Sequence, residues 1–96
     1  MRLKDNLPEL REAIVAAAAR CGASDVRLFG SVARGEERAD SDVDFIVRLA
    51  PGRTLLDLVR LESLLEQLLG RRVDVVTEGS LAEPIRAHAL QEAMLV

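Results

Sequence analysis

Two aspartates alternate along a short apolar segment and could together bind a divalent cation. The segment reads as a β-strand with two distinct faces, one bearing Val43, Phe45 and Val47 and the other Asp42, Asp44 and Ile46. Carboxylates two residues apart on a strand point the same way, with backbones roughly 6–7 Å apart, so their charges repel each other unless a cation lies between them. Hard oxygen ligands favour Mg²⁺, which also takes oxygens from a substrate phosphate.

A Gly-Ser turn precedes these acids by ten residues and offers groups suited to phosphate. Gly30 allows close approach to the backbone, and Ser31 adds a hydroxyl beside N–H donors. In the connecting loop, Arg34 either contacts phosphate or is a solvated helix residue, and Ser41 either binds the nucleotide or caps a turn. A phosphate-binding turn joined to a cation-binding strand by one short loop indicates nucleotide chemistry.

A third acid, Asp74, lies between two valines in a later apolar segment that also reads as a strand. An acid in such a strand is costly unless it is paired or bound to a metal. If this strand lies beside the strand of Asp42 and Asp44, three carboxylates converge. The alternative is that Asp74 forms an ion pair with Arg71 or Arg72.

Several other kinds of site are excluded by the same residues. A calcium loop starting at Asp40 needs Gly at its sixth position and Glu at its twelfth, but those positions hold Phe45 and Pro51. The Gly-Lys-Ser/Thr of a P-loop and the Gly-x-Ser-x-Gly of a hydrolase are both absent around Gly30. The single cysteine, Cys21, rules out an internal disulfide or a multi-cysteine zinc site and is expected in the core, and the single histidine, His88, is expected to be exposed or structural.

The elements that must position these residues form one alternating α/β unit over residues 1–96. Helices are predicted over about 7–21, 31–35, 55–69 and 84–93, and strands over 25–29, 42–49 and 72–77, with a possible edge strand at 94–96. Asn6 and Glu9 predict a capping box for the first helix, and Thr54 predicts the cap of the third. Gly22 and Gly70 are expected to end those helices.

Composition excludes further classes of function. With only two aromatic residues and a net charge of −3, the chain has neither a stacking platform nor a basic surface for nucleic acid. No basic-then-apolar leader opens the sequence, and its apolar runs are too short to span a membrane. We therefore expect a cytoplasmic protein that binds no nucleic acid directly and does not contact a membrane.

The chain resembles the nucleotidyltransferase superfamily that includes DNA polymerase beta, and most closely its minimal nucleotidyltransferase (MNT) members, the antitoxin partners of HEPN-domain toxins. The resemblance covers nearly the whole chain and rests on three motifs: Phe29-Gly30-Ser31-Val32-Ala33-Arg34-Gly35, Ser41-Asp42-Val43-Asp44 and Arg71-Arg72-Val73-Asp74-Val75-Val76. It implies an α/β (α+β) fold with a polymerase beta-like core, in which helices pack on a small mixed sheet of three to four strands.

The resemblance also implies an activity, namely Mg²⁺-dependent transfer of AMP from ATP to a hydroxyl with release of pyrophosphate. The implied acceptor is a tyrosine on a cognate HEPN ribonuclease toxin, which is thereby silenced within a heteromeric complex. The third acid would bind metal or take the proton from the attacking hydroxyl. The implied catalytic and metal-binding residues are Asp42, Asp44 and Asp74, and the implied nucleotide-binding residues are Gly30, Ser31, Arg34 and Ser41.

Two other functions remain open on the sequence. One is an antitoxin that only binds its toxin and whose site is idle. The other is a transferase acting on a small molecule such as an aminoglycoside, for which we expect a second, substrate-wrapping domain that this sequence lacks.

The leucine-rich third helix carries more apolar surface than one sheet face needs. The predicted core stripe is Leu58, Leu61, Leu64, Leu65, Leu68 and Leu69. Leu55, Leu56 and Val59 fall outside it. Either loops cover these three side chains or they form a contact surface for another protein.

Overall fold

Helices and strands alternate along the chain, as the sequence predicts. The computed structural model describes residues 3–36, 38 and 41–96, so Asp40 lies outside the described residues. The elements are α1 (Leu3–Arg20), β1 (Ala23–Phe29), α2 (Gly30–Ala33), β2 (Val43–Leu49), α3 (Leu55–Leu69), β3 (Val73–Thr77), a 3-10 turn (Glu78–Ser80), α4 (Ile85–Glu92) and β4 (Met94–Leu95). None of the helices in this described part is long and apolar enough to cross a membrane.

The described strands form one mixed sheet in the order β3-β2-β1-β4. Strand β1 runs antiparallel to β2 and β4, whereas β2 and β3 are parallel. Parallel neighbours need a crossover connection, and α3 provides it. The predicted small mixed sheet is confirmed, with β4 as its short fourth strand.

Local sequence sets both ends of α3. The Thr54 hydroxyl accepts a hydrogen bond from the Leu56 N–H at 3.2 Å, and the Asp57 carboxylate accepts one from the Thr54 N–H at 3.0 Å. This reciprocal capping box satisfies backbone donors that the first helical turn leaves open. At the other end Gly70 adopts φ 68°, a left-handed conformation that glycine adopts without a Cβ clash. Both predicted ends of this helix are confirmed.

The start of α1 was predicted wrongly. The helix begins at Leu3, so Asn6 and Glu9 lie inside it rather than forming a capping box at its start. Leu3 and Leu7 are both buried in the core, and this packing extends the helix beyond the predicted start. Tertiary burial therefore outweighs the local cap pattern at this end.

Apolar residues of α1, α3 and one sheet face form the main core. The largest fully buried members of the cluster are Phe45, Ile14, Leu28, Leu61, Leu65, Val32, Val43, Val47 and Cys21. Each large apolar side chain contributes about 1.5–3 kcal/mol on complete burial. Cys21 is thus a core residue, as predicted. The core holds β1 and β2 beside each other. Gly30 directly follows the end of β1, and Asp42 directly precedes the start of β2.

The predicted leucine stripe of α3 is largely confirmed. Leu58, Leu61 and Leu65 are buried, and Leu64 and Leu69 pack against the core. Leu68 is the exception, because 37% of it is exposed.

Candidate functional site

The parallel register of β2 and β3 places two acids side by side. Asp44 is directly opposite Asp74 in the ladder. Neighbouring strands lie about 4.7–4.9 Å apart, and residues in register share a face of the sheet, so the two carboxylates are close neighbours. The sequence analysis made convergence of the acids conditional on these two strands being neighbours, and the pairing of β2 with β3 meets that condition. Asp74 is exposed on its outer strand, so burial is not what constrains an acid at that position.

The half-buried Asp44 carboxyl carries the electrostatic cost of this arrangement. Burial raises the pKa of Asp44 above the ordinary aspartate value, and the negative charges of Asp74 and Asp42 raise it further. The positive charge of Arg34 partly opposes this shift. Ionised Asp44 is therefore destabilised where it lies, and a bound cation would relieve both the burial cost and the repulsion.

The third predicted ligand, Asp42, is held by an arginine. Arg72 Nε lies 3.2 Å from Asp42 Oδ1, and both side chains are largely exposed. An exposed ion pair of this kind is worth at most about 1 kcal/mol, so Asp42 can leave Arg72 for a cation at small cost. Within the described ranges no three His, Cys, Asp or Glu side chains are already arranged to hold a metal ion. The metal-binding role of Asp42, Asp44 and Asp74 stays a prediction, which the chemistry of these oxygen donors fits.

The Gly-Ser turn lies directly against the acids. Gly30 has φ +77°, and a Cβ at this position would lie 2.6 Å from Asp44 Oδ2. The preceding residue, Phe29, is opposite Asp44 in the antiparallel ladder of β1 and β2. Glycine is required here because it provides both the backbone conformation and the space for the carboxylate. The two motifs, which are ten residues apart in sequence, thus meet at one place, with the half-buried Ser31 next in the chain.

Arg34 is held near this place by two acids. Its Nε lies 3.1 Å from Glu36 Oε2 and its Nη1 lies 3.2 Å from Glu92 Oε2. The hydrogen bond to Glu36 is the main reason why the pKa of Arg34 is raised, and Glu92 adds to the effect. A phosphate would compete with these carboxylates for the guanidinium. His88 also reaches Glu92, with its Nε2 3.3 Å from Oε1, and is exposed as predicted.

Ser41 caps a turn, which is one of its two predicted roles. Its Oγ accepts a hydrogen bond from the Arg38 N–H at 2.8 Å, and its own N–H donates to the Arg38 carbonyl at 3.0 Å. The turn ends one residue before Asp42. A contact between Ser41 and nucleotide stays a prediction.

Sequence reasoning missed two glutamates beside the acidic pair. Glu62 and Glu66 lie four residues apart on α3, and that spacing places them on one helix face. Glu66 Oε2 accepts a hydrogen bond from the Val73 N–H at 3.1 Å, and Glu62 accepts one from the Val75 N–H. Burial, Asp74 and Glu66 raise the pKa of Glu62. These carboxylates cover backbone donors on the outer edge of β3 and add negative charge next to Asp74.

Comparison with known proteins identifies the family. The model of the nucleotidyltransferase domain matches residues 7–95. The chain belongs to this family. A solved structure described as that of a provisionally assigned minimal nucleotidyltransferase is 51% identical, with a TM-score of 0.88 over 100% of this chain and 97% of the other.

Two curated relatives have names that state an activity. Protein adenylyltransferase MntA of Thermococcus cleftensis is 42% identical over 92% of this chain and 82% of its own length. A Methanocaldococcus jannaschii protein provisionally named a protein adenylyltransferase is 38% identical over 93% of this chain and 96% of its own length. A crystal structure of a toxin–antitoxin with AMP-PNP is 19% identical, with a TM-score of 0.69 over 97% of this chain and 71% of the other, and shares the fold.

The raised pKa of Asp44 predicts a pH-dependent effect of removing its charge. The folded protein keeps the Asp44 proton to a higher pH than the unfolded chain does, so ionisation of this carboxyl lowers the free energy of unfolding as pH rises above the ordinary value of 3.8. We expect Asp44→Asn to be more stable than wild type at pH 7 in the absence of divalent cations. This advantage should shrink towards pH 3.8 and below, where the carboxyl is protonated in both states.

Urea unfolding at pH 7 and at pH 3.5 measures the difference, with Glu12→Gln, which removes an exposed acid from α1, as the control. A variant at position 44 that is no more stable than wild type at pH 7 would contradict the electrostatic account.

Proposed function

We propose that this chain is the antitoxin of a toxin–antitoxin pair and a protein adenylyltransferase that uses Mg²⁺ and ATP. The observation that carries the proposal is the contact of Gly30 with Asp44 in a strand register that also brings Asp74 alongside. A turn whose backbone N–H groups could hold phosphate thus adjoins a repelling pair of acids, the combination that Mg²⁺-bound ATP fits. The activity named for two relatives and the family of the chain support the same reaction.

Each residue of the site has a role in this reaction. Asp42 and Asp44, together with Asp74, would hold Mg²⁺, and the bound ion would neutralise charge that builds on the phosphates. The turn at Gly30 and Ser31 would donate hydrogen bonds to phosphate oxygens.

Arg34 would exchange a carboxylate for the triphosphate. The exchange would cost little, because the Arg34 side chain is 42% exposed and both of its ion pairs are at least partly solvated. The side chain could therefore change partners without leaving a buried charge behind.

The bond changes follow from the placement of these groups. The acceptor oxygen forms a bond to the α-phosphorus of ATP while the bond to the bridging oxygen breaks, and pyrophosphate leaves. The acceptor proton must go to a base. Asp74 is the exposed member of the acidic pair, so an acceptor on another molecule can reach it.

We further propose that the acceptor is a tyrosine of a cognate HEPN-type ribonuclease toxin, which AMP transfer silences. The support is the motif resemblance and the likeness in fold to a chain of a toxin–antitoxin crystal structure with AMP-PNP. These 96 residues contain no tyrosine, so a tyrosine modified in a mixture of this chain with the toxin is not one of them. Adenylylated tyrosine in a mixture of the two proteins would therefore come from the partner alone.

A patch of three exposed side chains on α3 is the best candidate for toxin contact. Leu55 is 77% exposed, Leu56 74% and Val59 57%, so the described loops do not cover them. Helix α3 begins beyond the carboxyl end of β2, whereas Asp44 is near the amino end of that strand. Five strand residues separate the two ends by roughly 16 Å. Partner binding and AMP transfer should therefore be separable by mutation.

The first test measures transfer of labelled AMP from ATP to the purified toxin. Asp42→Asn and Asp44→Asn should abolish transfer while the fold stays intact, because each removes a cation ligand. Gly30→Ala should also abolish it, because the new Cβ displaces the Asp44 carboxylate. Ser31→Ala should weaken ATP binding by about 1–2 kcal/mol, the worth of one hydrogen bond to a charged group.

The matched control for this test is Gly79→Ala, since a Cβ there meets nothing within 4 Å. Full transfer by either aspartate variant would refute the mechanism. A stable complex in which wild type transfers no AMP would instead establish an antitoxin that only binds.

The second test measures association with the toxin by pull-down and size exclusion. Leu55→Glu combined with Val59→Glu should weaken the free energy of association by about 3 kcal/mol, because two carboxylates would be buried against an apolar partner. Asp44→Asn should leave association largely unchanged. Val15→Glu, at an exposed apolar position of α1, is the matched control.

Co-purification of the double variant at the wild-type level would place the contact elsewhere. The exposed Ile85 of α4 would then be the next surface to test.

A further inference from the structure

Two consecutive arginines, Arg71 and Arg72, join α3 to β3 immediately after the glycine that ends the helix. Arg71 lies two residues before Val73, the first residue of β3. Its Nη2 reaches the loop that precedes β2 and donates hydrogen bonds to the Ser41 carbonyl at 2.7 Å and the Arg38 carbonyl at 3.0 Å. One guanidinium nitrogen thus bridges residues that are 30 and 33 positions away in sequence.

The bridged carbonyls belong to the turn already closed by Ser41. The Ser41 N–H donates to the Arg38 carbonyl, and the Arg38 N–H donates to the Ser41 Oγ. Arg71 therefore fixes a turn whose internal bonds set its shape, and it ties that turn to the start of β3. Bonds from a charged donor are stronger than those between neutral groups.

Arg72 holds the chain on the other side of Asp42. Its carbonyl accepts a hydrogen bond from the Val43 N–H at 2.9 Å, and its Nε lies 3.2 Å from the Asp42 carboxylate. Residues 41 and 43 are thus both anchored to the arginine pair, so the backbone of Asp42 is fixed from both sides.

We propose that Arg71 is a positioning residue, which holds Arg38 and Ser41 together so that Asp42 is presented beside Asp44. The role in cation and nucleotide binding rests on the proposed function, whereas the holding of the turn does not. Arg71 acts through the backbone and needs no contact with ATP. Its planar donor group suits a bridge between two carbonyl oxygens.

Trypsin provides a direct readout of the turn, because it cleaves after Arg38, whose carbonyl Arg71 binds. Cleavage of a folded protein depends on how often the segment opens. We expect Arg71→Gln to be cut after Arg38 about tenfold faster than wild type, as loss of bonds from a charged donor predicts. Arg72→Gln is the matched control, since it makes the same charge change one residue away, and it should be cut after Arg38 within about twofold of wild type because an exposed ion pair is weak.

Arg71→Lys keeps the charge and a donor nitrogen, and its cleavage rate should be closer to wild type than to Arg71→Gln. If Arg71→Gln fails to fold, Arg71→Lys is compared with Arg72→Lys instead. It should be cut after Arg38 faster than Arg72→Lys, because a lysine lacks the planar donor group that bridges the two carbonyls, and equal rates would overturn the proposal. Wild-type cleavage after Arg38 in a folded Arg71→Gln, or equal cleavage of the folded Lys and Gln variants, would overturn the proposal.

Calorimetry with Mg²⁺ and AMP-PNP supplies the second readout. Arg71→Gln should bind the nucleotide about tenfold more weakly than wild type, because Asp42 is no longer fixed. Unchanged affinity in a variant whose turn is cut faster would overturn the positioning role. If wild type does not bind Mg²⁺ and AMP-PNP, the proposed function fails, while the trypsin comparison still decides whether Arg71 holds the turn.

Discussion

The structure depends on one parallel pairing, which sets Asp44 of β2 beside Asp74 of β3. Parallel neighbours require a crossover, and α3 can serve as one because Thr54 and Gly70 define its ends. The same helix buries its leucine stripe against the sheet and so fixes β3 next to β2. The acidic pair is thus a product of the whole crossover unit.

The protein tolerates repulsion at this pair because the strand that carries it is otherwise well packed. Asp44 lies between Val43 and Phe45, which are both fully buried, and Ile46 is buried on the face that Asp44 shares. Burial of these apolar side chains offsets the cost of a carboxylate whose pKa is raised. Perturbed ionisation of this kind is typical of sites where a ligand supplies the missing charge.

Sequence predicts most where a local rule decides the outcome. Strand alternation was sufficient to place Asp44 on β2, although the strand begins at Val43 and leaves Asp42 just before it. The capping residues were sufficient to place α3. The sequence-based prediction failed at the start of α1, where burial of Leu3 outweighed the capping-box pattern of Asn6 and Glu9. The hydrogen bond from Arg71 to the Ser41 carbonyl, 30 residues away, could not be predicted from the sequence. Every residue has a backbone carbonyl, so nothing in the sequence marks the residue that accepts such a bond.

We propose above all that the Asp44–Asp74 pair binds a cation together with a nucleotide. The most direct measurement follows the carboxyl carbon of Asp44 by NMR across a pH titration, with and without Mg²⁺ and AMP-PNP. Without them the titration midpoint should lie above the ordinary aspartate value, because of burial and the neighbouring charges. With them it should fall below that value, since a nearby cation favours the ionised form. A midpoint that Mg²⁺ and AMP-PNP leave unchanged would contradict the account.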